Sequence, residues 1–179
     1  DYLGVAYADE GVELRRNNIT LPIMVMNPTE EGFHGILNYN LEPEVYGFKI
    51  LQKFISFLNG RQWKIHIKLD TGMHRLGFEG ADIEKLMRIL LENKNLEVAS
   101  IFTHLAGSDE AEHDAFSKRQ AKVFINLANT LSDALGYKPI LHVLNTPGIL
   151  RFPEWQLNMV RLGVGLYGVN PTSSHHALK

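Results

Sequence analysis

The sequence predicts an α/β protein, a TIM-type (β/α)8 barrel that is incomplete, with strands 2–8 present. Three observations predict it. Short apolar strands alternate with helical segments along all 179 residues, with mostly short connections, as in a parallel sheet with helical crossovers. Four polar clusters stand at four successive strand ends: Asp70-Thr-Gly-Met-His-Arg75, Thr103-His104, Asn145-Thr146 and Arg161-Leu-Gly163-Val164. Charged groups at the carboxyl ends of strands line the mouth of such barrels. Seven units in one run favour closure over an open sheet. A seven-stranded remnant would leave two unpaired edges, so an eighth unit is expected upstream of Asp1.

The elements follow from apolar spacing and breakers. Leu3 to Tyr7 is a buried strand, and Ala8 to Asn17 a helix carrying Val12 and Leu14 on its face. Pro22 to Met26 is a strand closed by Asn27-Pro28. A short helix near Gly32 to Tyr39 leads to a brief strand at Glu44 to Gly47. Phe48 to Leu58 has helical spacing and ends on Asn59-Gly60, a C-cap signal. Lys64 to Leu69 is a strand that breaks at Asp70-Thr-Gly, and Asp82 to Asn93 is a helix. Glu97 to Phe102 is a strand, and Glu112 to Leu135 a long helix stopped by Gly136. Ile140 to Leu144 is a strand, after which Pro147 opens a helical turn. Leu157 to Arg161 and Val164 to Tyr167 form the last strand region. All of 1–179 reads as one partial barrel domain.

Composition narrows the function. A hydrophobic fraction of 45% and a formal net charge of −2 describe a globular domain without a polyelectrolyte surface, so nucleic acid and acidic membrane are not expected partners. The absence of cysteine excludes disulfides, thiolate metal sites and a cysteine nucleophile, and fits a cytoplasmic protein. No apolar run reaches membrane-spanning length.

Each cluster has an ordinary alternative. Thr146 with the unobstructed backbone at Gly163 and Val164 could cradle an anion, or Thr146 could cap a turn and Gly163 permit tight packing. His104 and His142 at strand ends suit a structural role as well as a functional one. His175-His176 suits a solvated tail, Glu112 and Asp114 an exposed first helical turn, and no His/Asp/Glu set has a convincing metal spacing. Arg75 and Arg161 are harder to set aside. Each follows an apolar strand and would point into the mouth, where an unpaired guanidinium is costly. A phosphorylated, carboxylated ligand would satisfy both. Lys68 shares a strand face with His66 and Lys64; it either snorkels outward or points inward to a negative partner.

Together the clusters resemble the alanine racemase family. Asp70-Thr-Gly-Met-His-Arg-Leu-Gly77 and Asn158-Met-Val-Arg-Leu-Gly-Val-Gly-Leu-Tyr-Gly168 carry the resemblance most specifically. Val5-Ala-Tyr-Ala-Asp-Glu10, Leu14-Arg15, Ile23-Met-Val-Met26, Thr103-His-Leu-Ala106 and His142-Val-Leu-Asn-Thr146 extend it over nearly the whole chain. The sequence looks closest to the racemase portion of fused cell-wall ligase–alanine racemase proteins. The resemblance implies a barrel that binds pyridoxal 5′-phosphate, an alanine substrate, a homodimer with a shared site, and D-alanine for peptidoglycan as the product.

Carried over by position, the resemblance implies that Arg75 bonds the cofactor's phenolic oxygen and helps hold the substrate carboxylate. His104 would pack against the pyridine ring, with Met26 nearby. Asn145 and Thr146, with the backbone N–H groups of Gly163 and Val164, would hold the phosphate; family members usually have serine where Thr146 stands. Lys68 matches a lysine that is carbamylated in some members. Arg161 matches the arginine facing the pyridine nitrogen. A guanidinium can only donate there, which leaves the ring nitrogen unprotonated and favours racemisation over decarboxylation.

The family's cofactor-anchoring lysine, also one of its two catalytic bases, lies in a Val-Lys-Ala-Asn-Ala-Tyr-Gly motif that none of the ten lysines matches. The opposing tyrosine base belongs to a carboxy-terminal β-domain. The chain alone is therefore expected to be inactive, as a central fragment of a racemase. The alternatives are a serine, lysine or broad-specificity racemase of the same family, and a non-catalytic barrel serving as a binding module.

Overall fold

The computed structural model describes residues 1–172; the expectation for His175-His176 lies outside them. Six parallel strands form one curled sheet in sequential order, a half-barrel. They are β1 (Leu3–Val5), β2 (Ile23–Val25), β3 (Glu42–Val45), β4 (Trp63–Lys68), β5 (Leu96–Phe102) and β6 (Ile140–His142). The crossovers carry α1 (Ala8–Arg16), α2 (Phe33–Asn38), α3 (Phe48–Leu58), α4 (Ile83–Glu92) and α5 (Asp114–Leu135), and α6 (Thr146–Arg151) follows β6.

The two faces of the sheet differ in chemistry. Ile23, Val25, Val45, Ile65, Ile67 and Ile101 pack beneath the helices against Leu51, Phe54, Leu86, Phe124 and Leu131, and this layer is the apolar core. The alternate residues face the barrel interior, and there Glu42, Glu44, His66, Lys68, Ser100 and His142 are all buried. Between Ile65 and His66 the pairing with β5 shifts by one: Ile65 meets Val98 and His66 meets Ser100. This bulge leaves Ala99 unpaired and re-aims Ser100 at the interior.

Three expectations are corrected. The third strand begins at Glu42 and ends at Val45 rather than running from Glu44 to Gly47, because Pro43 is accommodated between β2 and β4. The long helix starts at Asp114 after a 3-10 turn at Ala111–His113, rather than at Glu112. The seventh strand does not form. Leu157 adopts φ +50°, and Val164–Tyr167 is a 3-10 helix. Asn158 and Arg161 still lie along β6, donating to Leu141 O and Leu144 O. The Asn158 side chain, not its backbone, accepts from Leu141 N at 3.0 Å, so no ladder develops.

Candidate functional site

The loop after β4 is closed by its own carboxylate. Asp70 accepts from the backbone N–H of Gly72, His74 and Arg75 at 2.9, 3.1 and 3.0 Å. Burial pushes the Asp70 carboxyl up, but these three donors together hold it below its usual range. Leu69 bridges back to Phe78, and Gly77 at φ +135° makes the return. A Cβ on Gly77 would lie 2.5 Å from Asp70 N, so only glycine fits. The Thr71 hydroxyl bonds that of Thr103 at 2.9 Å, tying this loop to the end of β5. The clasp presents Arg75 at the strand ends with its side chain exposed.

Beneath Arg75 lies an ion pair that sequence reasoning half anticipated. Lys68 points inward, and its Nζ is 3.1 Å from the buried Glu44 carboxylate on β3. Desolvation raises the Glu44 carboxyl above its usual range, against the pull of Lys68, Arg161 and Arg75. Met26, Asn27, Glu44, Lys68, Arg75 and Leu76 together line a cavity of about 290 Å³. Glu44 was missed as a site residue. The available signal was the two-residue period of Glu42 and Glu44, which matches that of His66 and Lys68 one strand away.

Arg161 is gripped from below. Its Nη1 donates to His142 Nδ1 at 2.8 Å and to His142 O at 3.3 Å; its Nη2 donates to Thr103 O at 2.6 Å and Val143 O at 3.1 Å. The Nε–H has no partner among the described residues. Burial draws the guanidinium down to about 10, with Glu44 opposing, so it stays protonated at neutral pH. His104 is pushed down to about 4 by burial first and then by Arg161, Lys68 and Arg75, and is therefore a neutral imidazole among cations. Gln120 from α5 holds the backbone on both sides of it, donating to His104 O at 3.2 Å and accepting from Ala106 N at 3.0 Å.

The last cluster assembles at the start of α6. The Thr146 hydroxyl accepts from Gly163 N at 3.0 Å and Gly165 N at 3.3 Å, which leaves its own proton to donate. Val164 follows Gly163 in the same loop. The Asn145 side chain is engaged elsewhere: it accepts from Gly148 N at 3.1 Å as the N-cap and from Ser108 Oγ at 2.7 Å. The expected residues thus gather at the carboxyl ends of the strands in two groups. Met26, Lys68 and Arg75 line one cavity, while Thr146 with Gly163 forms the other group, and Arg161 and Thr103 lie along β5 and β6.

The chain matches the model of the alanine racemase N-terminal domain over residues 1–171. It belongs to that family. Among its relatives, an alanine racemase of Methanococcus maripaludis is 38% identical over 182 residues, covering 98% of this chain and 48% of the relative. Alanine racemase 1 of Oceanobacillus iheyensis is 33% identical, with 96% and 46% covered. A solved alanine racemase of Clostridium difficile 630, in complex with cycloserine, superposes with a TM-score of 0.88 at 33% identity over 97% of this chain and 48% of that one. The chain spans about half the length of the relatives it matches. The family is pyridoxal-phosphate dependent. The donor set suits that group: Thr146 keeps its own O–H for a phosphate, the Arg161 Nε–H has no partner among the described residues and suits a ring acceptor, and His104 is a neutral imidazole for a ring face.

Proposed function

We propose that this chain is the cofactor-binding barrel of an alanine racemase whose whole polypeptide interconverts L- and D-alanine. The observation that carries the reading is Arg161, a permanent cation whose four held contacts leave Nε–H without a partner among the described residues. Bound pyridoxal phosphate supplies an electron-withdrawing ring that acidifies the α-proton of an attached amino acid. Arg161 would hold the ring nitrogen as a donor that gives up no proton, and so would leave the ring a weaker electron sink. Thr146, with the backbone of Gly163 and Val164, holds the phosphate, and Asn145 shapes that turn by capping it. Arg75 holds the phenolic oxygen and the substrate carboxylate, with Met26 beside the ring. His104, neutral, packs on the ring without adding charge.

The Lys68 ammonium keeps Glu44 company as a cation. A carbamate there would set a second anion against that buried carboxylate, so we read Lys68 as unmodified in this chain.

The finer reading places the whole protein in the cytoplasm as a homodimer making D-alanine for peptidoglycan, fused to a cell-wall ligase. No helix among the described residues is long and apolar enough to cross a membrane. Leu166 and Tyr167, 71% and 87% exposed beside the Thr146 loop, offer an apolar rim suited to cover by a second subunit.

Titration of the chain with pyridoxal phosphate, followed by borohydride reduction and peptide mapping, tests the reading. Saturable binding that weakens in Thr146→Val and Arg161→Ala, without a reduced adduct on any lysine, is expected. Absence of binding, or a stoichiometric adduct on one lysine of this chain, overturns it.

A further inference from the structure

Arg161 is one end of a buried chain of hydrogen bonds that crosses four strands. His142 Nε2 is 3.0 Å from Ser100 Oγ, Ser100 Oγ is 2.7 Å from His66 Nδ1, and His66 Nε2 is 3.0 Å from Glu42 Oε2. His142, Ser100 and His66 are fully buried, and Glu42 is 8% exposed. Tyr2 caps the far end, its hydroxyl donating to Glu42 Oε2 at 3.1 Å. Ring contacts hold both imidazoles: His142 stacks on Phe102 at 4.7 Å, and Tyr2 meets His66 edge-on at 5.4 Å.

The direction of every bond in this chain is determined. A guanidinium has no acceptor, so Arg161 donates to His142 Nδ1, and the His142 proton must sit on Nε2. That proton goes to Ser100 Oγ. The serine then gives its own to His66 Nδ1, and His66 donates from Nε2 to Glu42. A donor-only group at one end and an acceptor-only carboxylate at the other agree on one orientation. Burial pushes the Glu42 carboxyl up, yet the hydrogen bonds from His66 and Tyr2 leave it below its usual range, hence ionised at neutral pH. The Tyr2 hydroxyl, raised to about 12 by burial and Glu42, stays a donor. A reversed chain would point an Nδ1–H of His142 at an Nη1–H of Arg161.

A polar layer inside a barrel is costly unless each member is satisfied, and here a β-bulge at Ala99 is what brings Ser100 into line. We propose that Glu42 and His66 are positioning residues for Arg161: through Ser100 and His142 they anchor and strengthen the hydrogen bonds that hold the guanidinium from below, and so keep its Nε–H aimed at the mouth. The aim at a cofactor ring nitrogen rests on the function proposed above; the directed relay does not.

The test uses the chain labelled with 15N in histidine, as wild type and as Glu42→Gln, with Ser100→Ala as the internal break. An amide at position 42 accepts from His66 more weakly than the carboxylate does, so the bonds behind it loosen while Arg161 still sets their direction. Both His142 and His66 are expected as Nε2–H tautomers in wild type. In Glu42→Gln the ring nitrogens of His142 should shift, although two residues separate it from the change, and Glu42→Asp should restore them. Pyridoxal phosphate should bind about tenfold more weakly to Glu42→Gln, the loss of about one net hydrogen bond. An Nδ1–H tautomer at His142, or His142 resonances unmoved by Glu42→Gln, overturns the relay. If wild type binds no cofactor, the functional reading fails while the tautomers still decide the relay.

Discussion

Lys68 Nζ sits 3.1 Å from Glu44 Oε1 with side chains 6% and 0% exposed, a cation and an anion sealed together inside the half-barrel. Removing one partner leaves the other charged and unsolvated, which costs roughly 3–5 kcal/mol. Glu44→Gln and Lys68→Met should each destabilise the chain by that order in urea unfolding, while the double variant recovers most of the loss. Additive single effects would show that the two charges do not depend on each other.

The same geometry predicts the chemical state of Lys68. Glu44 already supplies a negative group beneath Arg75, so carbamylation would create repulsion where attraction now exists. Intact-mass analysis in bicarbonate buffer should find the Lys68 peptide unmodified. A carbamyl group at Lys68 in wild type would contradict this; its appearance in Glu44→Gln alone would agree with it.

The Asp70 clasp predicts a sharp glycine contrast. In Gly77→Ala the new methyl would lie 2.5 Å from Asp70 N and 2.7 Å from Leu69 C, so backbone has to move. Gly60, after α3, also has positive φ, but nothing lies within 4 Å of its Cβ. Gly60→Ala should cost about 1 kcal/mol of left-handed strain. Gly77→Ala should cost clearly more, and should also weaken cofactor binding through Arg75. Equal losses in the two variants would mean the loop closes differently.

Acid stability follows from His104. The unfolded chain takes up this proton near pH 6.5, whereas the folded chain resists until about 4. The folded state therefore binds fewer protons in that window. Stability is complete above about 6.5 and falls as pH drops towards about 4, by an amount on the order of 1–3 kcal/mol for this residue. His142, held well below its usual range by burial and then by Arg161 and His66, adds to the fall. Urea midpoints measured across this window should decline, and His104→Gln should flatten part of the decline. An unchanged slope would mean His104 charges freely in the folded chain.

Local chemistry was legible in advance. The strand ending at Lys68, the turn at Asp70-Thr-Gly and the stops at Asn59 and Gly136 are all written in short-range pattern. Asn59 and Gly136 indeed end their helices in the left-handed region. The last strand was misjudged because its alternation is genuine, while a competing acceptor, the Asn158 side chain, takes the ladder hydrogen bond. Pro43 hid the first half of β3, since a proline inside a sheet argues against a strand. With that half went Glu42, the far end of the buried relay.

By itself the sequence determined the βα alternation, the residues delivered to each strand end, and that His66 and Lys68 share one strand face. Those depend on a residue's own backbone and its near neighbours. Tertiary structure alone decided which carboxylate meets Lys68, that Ser100 rather than Ala99 meets His66, and which way each imidazole carries its proton. Partners in a sheet are set by register between strands far apart in the chain, and a buried proton is placed by the whole set of donors and acceptors around it.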